Sequence, residues 1–337
     1  MRRLPIPPQC STATSSGIPG FGGPWISESG FPTASITARE KRTTSHLNAS
    51  PLTVEGPDGT PLSASRLGAA SPPASVLYVH GALTQSTYWT PLIEYVHQRL
   101  DGGIAQIVYD QRGHGASKSQ APNAGITLPV YVDDLDAVLA HAHGAVVLVA
   151  HSVGSLLIQA WAAQYPHRAR AVTGIVLFNG CPEFPYLPAL SDVDLTGSRY
   201  RKRGLQVVEE LLTYLYEPPA RYGLSRRHLF GTAERNARSG NFETSPAGVA
   251  LYRDASLTSE TARTLRRVPT WVMTGQLDPV VDPRRSQHLA EQVWGEYVSV
   301  PGAGHSLPYV DPVTASEPIL AALEVAYRSQ QQDGGPW

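Results

Sequence analysis

The sequence predicts an α/β fold: a mostly parallel central sheet flanked by helices, with a helical lid inserted before the last strands. Two observations carry this. Short apolar, β-branched runs alternate with longer segments whose apolar residues recur at helical spacing, the pattern of a sheet covered on both faces. The alternation then stops between residues 181 and 267, where the chain turns charged and helical, and resumes at residue 270. At 337 residues the chain is long enough for one large or about two ordinary domains with a substantial core.

The elements follow in order. Residues 1–50 are dominated by Ser, Thr, Pro and Gly, with scattered Phe21, Trp25 and Phe31 and no periodicity, and read as a flexible arm. Leu52-Thr53-Val54, the turn-forming Gly56-Pro57-Asp58-Gly59 and a segment ending at Leu67 read as a β-hairpin. After a linker over 69–74, strands are predicted at 75–80, 104–109, 146–150, 171–178, 270–274 and 297–300. Helices are predicted at 88–100, through Trp89, Leu92, Ile93 and Val96, and at 130–142, through Leu135, Val138 and Leu139. Further helices are expected at 154–165, 283–294 and 313–330. The resulting division is a body of 51–180 and 268–332, a lid of 181–267 and a tail of 333–337.

Composition narrows the partners. Lys and Arg number 27 against 28 Asp and Glu, a balance that points away from nucleic acid and acidic membranes. Only Cys10 and Cys181 are present, too few and too dispersed for a disulfide framework. No apolar run approaches the roughly 18 residues that span a bilayer. Met1-Arg2-Arg3 carries charge but no apolar stretch follows it, so the chain reads as a cytoplasmic protein without an integral membrane segment. Oligomeric state is not readable.

The chemistry centres on Ser152. Val146-Val147-Leu148-Val149-Ala150 runs into His151-Ser152-Val153-Gly154 and then directly into a helical segment, the strand–turn–helix setting of a strained nucleophile. Small residues are needed there because the turn packs backbone against backbone. A serine hydroxyl is a weak nucleophile at neutral pH and requires a base, itself oriented by a third group. Of the 11 histidines, His305 is best placed, following a predicted strand through Pro301-Gly302-Ala303-Gly304. Asp278, in Gly275-Gln276-Leu277-Asp278-Pro279, again lies just past a strand end, and the order Ser, Asp, His suits the arrangement. Asp282 stands directly before a helix and reads as its N-cap, which makes it the lesser candidate. Two backbone donors would bind the developing oxyanion: Val153 N–H, after the nucleophile, and Ala82 N–H, in the turn His80-Gly81-Ala82-Leu83. His141 and His143 have metal-like spacing without a third ligand, and no metal is expected.

With these residues in view, the chain resembles the α/β-hydrolase family of serine-nucleophile esterases and lipases, in its monoacylglycerol-lipase-like group. The matching pieces are the hairpin Gly56-Pro57-Asp58-Gly59, then His80-Gly81-Ala82 and Asp110-Gln111-Arg112-Gly113-His114-Gly115. They continue with His151-Ser152-Val153-Gly154, Gly275-Gln276-Leu277-Asp278 and Gly302-Ala303-Gly304-His305. The resemblance covers residues 52–330, weakens over 181–267, and implies structural roles for Arg112, His114 and His151. Ala150 replaces the usual first glycine of the elbow, and Ser155 stands where another glycine often follows.

The resemblance implies a serine hydrolase acting on a carboxylic ester of a small, mostly apolar substrate, with no cofactor. Leu83, Cys181, Phe184, Tyr186 and Leu215 are the candidate pocket residues. The same three groups serve lactone, thioester and C–C bond hydrolysis, and the fold also hosts ligand-binding proteins and cyclases that use only the pocket. Those readings stay open at this point.

Overall fold

The computed structural model describes residues 49–82, 84–117, 127–184, 252, 255–278 and 280–332. The chain opens with strands β1 (Ser50–Glu55) and β2 (Pro61–Gly68), paired antiparallel with Val54 opposite Leu62. Strands β3 (Ala74–Val79), β4 (Ala105–Tyr109), β5 (Ala145–His151), β6 (Gly174–Phe178), β7 (Thr270–Gly275) and β8 (Glu296–Val300) follow. All eight form one sheet in the order β1-β2-β4-β3-β5-β6-β7-β8, in which β2 meets β4 antiparallel and every later pairing is parallel.

Period-two alternation divides the core. Leu77, Val79, Leu148, Ala150, Ile175, Leu177 and Val272 face one cluster, completed by helices α2 (Leu128–Leu139), α3 (Val153–Gln164) and, farther along the chain, one at Pro283–Val293. Val76, Tyr78, Val147, Val149, Val176, Phe178 and Met273 face the other, beneath α1 (Thr90–Arg99) and the long helix Pro312–Gln332. Both faces of the central strands are therefore buried, which is why they read as continuous apolar runs.

The predicted elements recur with local shifts. A 3-10 turn over Ser86–Trp89 precedes α1, where the sequence suggested a single helix. Strand β6 starts at Gly174 because a short helix α4 (Pro166–Ala169) closes first, with Ala171 N–H on Arg168 O and Thr173 N–H on Val146 O at 2.8 Å. Within the interval expected to be a lid, Ser259–Leu265 forms α5, which packs against α3 and α4. Helix α6 is Pro283–Val293, and Asp282 caps it, its carboxylate accepting Arg284 N–H at 2.9 Å. Helices α7 (Leu307–Val310) and α8 (Pro312–Gln332) end the described chain. No helix among the described residues is long and apolar enough to cross a membrane.

Strand β3 leads on to β4 and its neighbour β5 leads on to β6, so connections leave these adjacent strands in opposite directions. The carboxyl ends of β3 and β5 flank that switch point, the crevice where open α/β sheets bind ligands. In the turn after β4, buried Arg112 spends all its donor capacity on the hairpin and α2. It forks onto Asp134 with Nε and Nη2 at 2.8 Å, onto Asp58 at 2.8 and 2.9 Å, and reaches Thr60 Oγ1 at 2.7 Å. The Arg112 hydrogen bond holds Asp58 far below the usual carboxylate range, whereas burial raises Asp134 against the pull of the same guanidinium. Replacing Arg112 with Met strands the buried Asp134 carboxylate. The expected loss is about 3–5 kcal/mol of unfolding free energy at neutral pH, read from urea denaturation; a loss under about 1 kcal/mol would refute this role.

Candidate active site

Ser152 follows β5 with φ 54° and ψ −126°, a conformation that costs a non-glycine residue on the order of 1–3 kcal/mol. Its N–H donates to Phe178 O on the neighbouring strand at 3.0 Å, and its carbonyl accepts both Ser155 N–H at 2.9 Å and Ser155 Oγ–H at 2.7 Å. Space is tight on two sides. A Cβ on Gly154 would lie 2.7 Å from Val79 O, and one on Gly81 would lie 3.1 Å from Ser152 Cβ and 2.9 Å from His151 Nδ1. The turn after β3 thus presses directly against the Ser152 turn. Ser155, which departs from the glycine of the resembled family, takes up an elbow carbonyl with its hydroxyl.

Asp278 and His305 meet past the ends of β7 and β8. His305 Nδ1 and Asp278 Oδ2 are 2.8 Å apart, and both side chains are buried. The other carboxylate oxygen, Oδ1, accepts Val280 N–H at 2.8 Å and Val281 N–H at 3.0 Å. Burial alone would raise the Asp278 carboxyl, but His305 and these two amides outweigh it and hold the acid below its ordinary range. An ionised Asp278 places the His305 proton on Nδ1 and leaves Nε2 as an acceptor. Ser152 reaches this pair through its neighbour: His151 Nε2–H donates to His305 O at 2.7 Å, with the two rings 4.7 Å apart. Among the described residues no hydrogen bond joins Ser152 Oγ to His305, a contact commonly long before substrate binds.

The two candidate oxyanion amides share one construction. Gly81 O accepts His80 Nδ1–H at 2.9 Å and Thr84 Oγ1–H at 2.9 Å, while His80 Nε2 accepts Gln111 N–H at 2.9 Å. Carbonyl and N–H of a trans peptide point in opposite directions, so fixing Gly81 O turns Ala82 N–H away from that anchor. Ser152 O is held by two Ser155 donors in the same way, which turns Val153 N–H outward as the first amide of α3, where no intrahelical acceptor exists. Among the described residues neither amide donates to a protein acceptor. Gln111 is held in turn by Tyr252, whose hydroxyl donates to Gln111 Oε1 at 2.9 Å.

Of the candidate pocket residues, Cys181 is buried and its thiol is pushed up to about 12 by burial, which removes it as a nucleophile. Phe184 is half-buried against the same cluster. The two ends of the inserted interval are laced together here: Glu183 bridges Ser256, Leu257 N–H reaches Pro182 O at 2.6 Å, and Phe184 N–H reaches Ala255 O at 3.3 Å. Leu83, Tyr186 and Leu215, like residues 1–48 of the arm and the whole tail, lie outside the described residues, while Ser50, counted with the arm, opens β1. Three polar residues of the site escaped the sequence reading: Thr84, the hydroxyl of Ser155, and Asn179 at the end of β6. Only Asn179 carried a signal, as the Asn-Gly pair ending an apolar strand marks a left-handed turn.

Residues 76–316 match the alpha/beta hydrolase family, and the chain belongs to it. It is 35% identical over 101 residues to a 2-(acetamidomethylene)succinate hydrolase from Mesorhizobium japonicum. That match spans 30% of this chain and about a third (34%) of the relative's length. Among solved structures it resembles an esterase from Rhodococcus sp. ECU1013, with a TM-score of 0.65 at 21% identity over 82% of this chain and 98% of that one. The enol-lactonase from Burkholderia xenovorans LB400 gives a TM-score of 0.63 at 16% identity, over 82% and 100% of the two chains. These likenesses are of fold.

The buried histidines generate a stability prediction. Burial pushes His80 and His151 down to about 3 each, and lowers His114 as well, from an ordinary value near 6.5. Neutral when folded, they protonate once unfolded. Their contribution is fully present above about pH 6.5 and is lost progressively as pH falls toward 3. The melting temperature should fall steadily between pH 6.5 and 4, and His151→Phe should show a shallower fall; parallel curves for the two proteins would contradict the assignment.

Proposed function

We propose that the chain is a serine hydrolase cleaving a carboxylic ester, or a related acyl bond, of a small and mostly apolar substrate. The observation that carries this is the buried Asp278–His305 hydrogen bond beside a serine held at positive φ. His305 Nε2 takes the Ser152 proton as Oγ attacks the carbonyl carbon, and Asp278 stabilises the imidazolium that forms. Val153 N–H and Ala82 N–H receive the oxyanion. Collapse returns the proton from His305 to the leaving oxygen and leaves an acyl-enzyme. Water, deprotonated by the same histidine, attacks the acyl carbon, and collapse breaks its bond to Ser152 Oγ, which recovers the proton from His305 as the acid is released. No step calls on a cofactor.

The interval 181–267 serves as a lid in this reading, with Cys181 and Phe184 at its base as pocket wall. A lactone is a cyclic ester and opens by the same attack, so ester, lactone and thioester substrates are distinguished by the pocket and not by these groups. The reading also takes the site to work in the cytoplasm on small molecules, with no nucleic acid partner.

Two outcomes test it. Intact mass after fluorophosphonate treatment should show one adduct on the wild type and none on Ser152→Ala, which should also lose at least about a thousandfold in p-nitrophenyl acetate turnover. A folded wild type that takes no adduct would sink the mechanism. Thr84→Val, which frees Gly81 O from one of its two donors, should lower kcat on the order of tenfold, less than the hundredfold or more of losing an oxyanion donor outright. Thr84→Ser should restore it. Wild-type kcat in Thr84→Val would separate Thr84 from the oxyanion site.

A further inference from the structure

We propose that Asn179 is a positioning residue of this site, its side-chain amide locking the Asp278 carboxylate in the orientation that receives His305 Nδ1–H. The inference rests on the serine hydrolase reading above and adds to it a residue outside the Ser152, Asp278 and His305 set.

Three observations converge on Asn179. The first is its place. Strand β6 lies between β5, which delivers Ser152, and β7, which delivers Asp278. Phe178 O accepts the Ser152 N–H at 3.0 Å, and the next residue, Asn179, donates its own N–H to Met273 O at 2.9 Å. The end of β6 therefore couples the two strand ends by main chain alone.

The second is the side chain. Asn179 Nδ2 donates to Asp278 Oδ2 at 2.6 Å and also faces Thr274 Oγ1 at 3.3 Å, with the residue fully buried. Oδ2 is the oxygen that His305 uses, so each carboxylate oxygen has two donors: Val280 and Val281 on Oδ1, Asn179 and His305 on Oδ2. The amide cannot be turned over, because its oxygen would then face a carboxylate, acceptor against acceptor. With the nitrogen so committed, Asn179 Oδ1 is left buried without a partner among the described residues. Burying an unpaired acceptor is unfavourable. An apolar residue would avoid that cost, so the amide is retained for its donor.

The third is the backbone. Asn179 has φ 51°, the left-handed region, which Asn, Asp and Gly tolerate better than other residues. This permits a clean test, since glycine and aspartate both suit the turn and neither supplies the amide donor.

Asn179→Gly and Asn179→Asp are compared with the wild type in p-nitrophenyl acetate turnover and in the rate of fluorophosphonate labelling, each scaled to the folded fraction by circular dichroism. Acylation and deacylation both use the His305–Asp278 pair. In both variants kcat and the labelling rate should fall about 10- to 100-fold, the range for a hydrogen bond to a charged group, while KM stays within about threefold. Should either variant fold poorly, the other still decides. Wild-type kcat and labelling in a folded variant would show that Asn179 serves only the turn, and would overturn the inference while leaving the hydrolase reading intact. A wild type that neither labels nor turns over the ester would overturn both.

Discussion

The backbone turn at Ser152 is the constraint around which the carboxyl edge of the sheet is arranged. Positive φ at a serine costs on the order of 1–3 kcal/mol. Three hydrogen bonds offset it: Ser152 N–H to Phe178 O, and Ser155 N–H and Oγ–H to Ser152 O. At a net worth of about 1 kcal/mol each, they match the strain. The steric side is met by glycine where other backbone approaches, with Gly154 under Val79 O and Gly81 beside Ser152 Cβ. Any side chain at either position would push the β3 turn away from the serine, and with it the Ala82 amide.

Tension at one turn would be of little use if the loops beside it were free to drift. They are joined by polar contacts in which buried histidines stay neutral. A neutral imidazole offers one donor and one acceptor at fixed separation. His80 uses both, giving Nδ1–H to Gly81 O and taking Gln111 N–H at Nε2, and so ties the β3 turn to the turn after β4. His151 uses its donor on His305 O, tying the β5 turn to the loop after β8. Burial, which keeps both rings uncharged, is what allows them to act as spacers without adding charge beside Asp278 and His305. The same burial makes the arrangement sensitive to acid.

Much of this was legible in the sequence, and the legible part has a common cause. Strands β3 to β8 and the long helices announce themselves by periodicity, because burial on two faces or on one stripe repeats along the chain. Ser152, Asp278 and His305 were legible because each follows such a run, so a one-dimensional pattern sufficed to place it at the sheet edge. Asn179 and Asp278 lie 99 positions apart and meet only through strand order, which periodicity does not encode. Thr84 and Ser155 act through main-chain carbonyls, and nothing in a short polar side chain announces which carbonyl it will reach. The short helices α4 and α7 were missed for a different reason: at 4 residues each they are too brief to show a helical period.

The division of labour between body and insertion follows from the same geometry. An esterase and an enol-lactonase share the scaffold at 21% and 16% identity, so the scaffold alone does not choose the bond that is cut. The sheet is interrupted between β6 and β7. Here that interruption begins at Cys181, directly after Asn179 and Gly180, and its two ends are pinned to each other through Pro182, Glu183 and Phe184 against Ala255, Ser256 and Leu257. Arg285 of α6 fastens the same place from the body, with Nη2 3.1 Å from Glu183 O and from Glu183 Oε1. The two ends thus form one neck, and the residues that hold Asp278 and His305 lie on its body side.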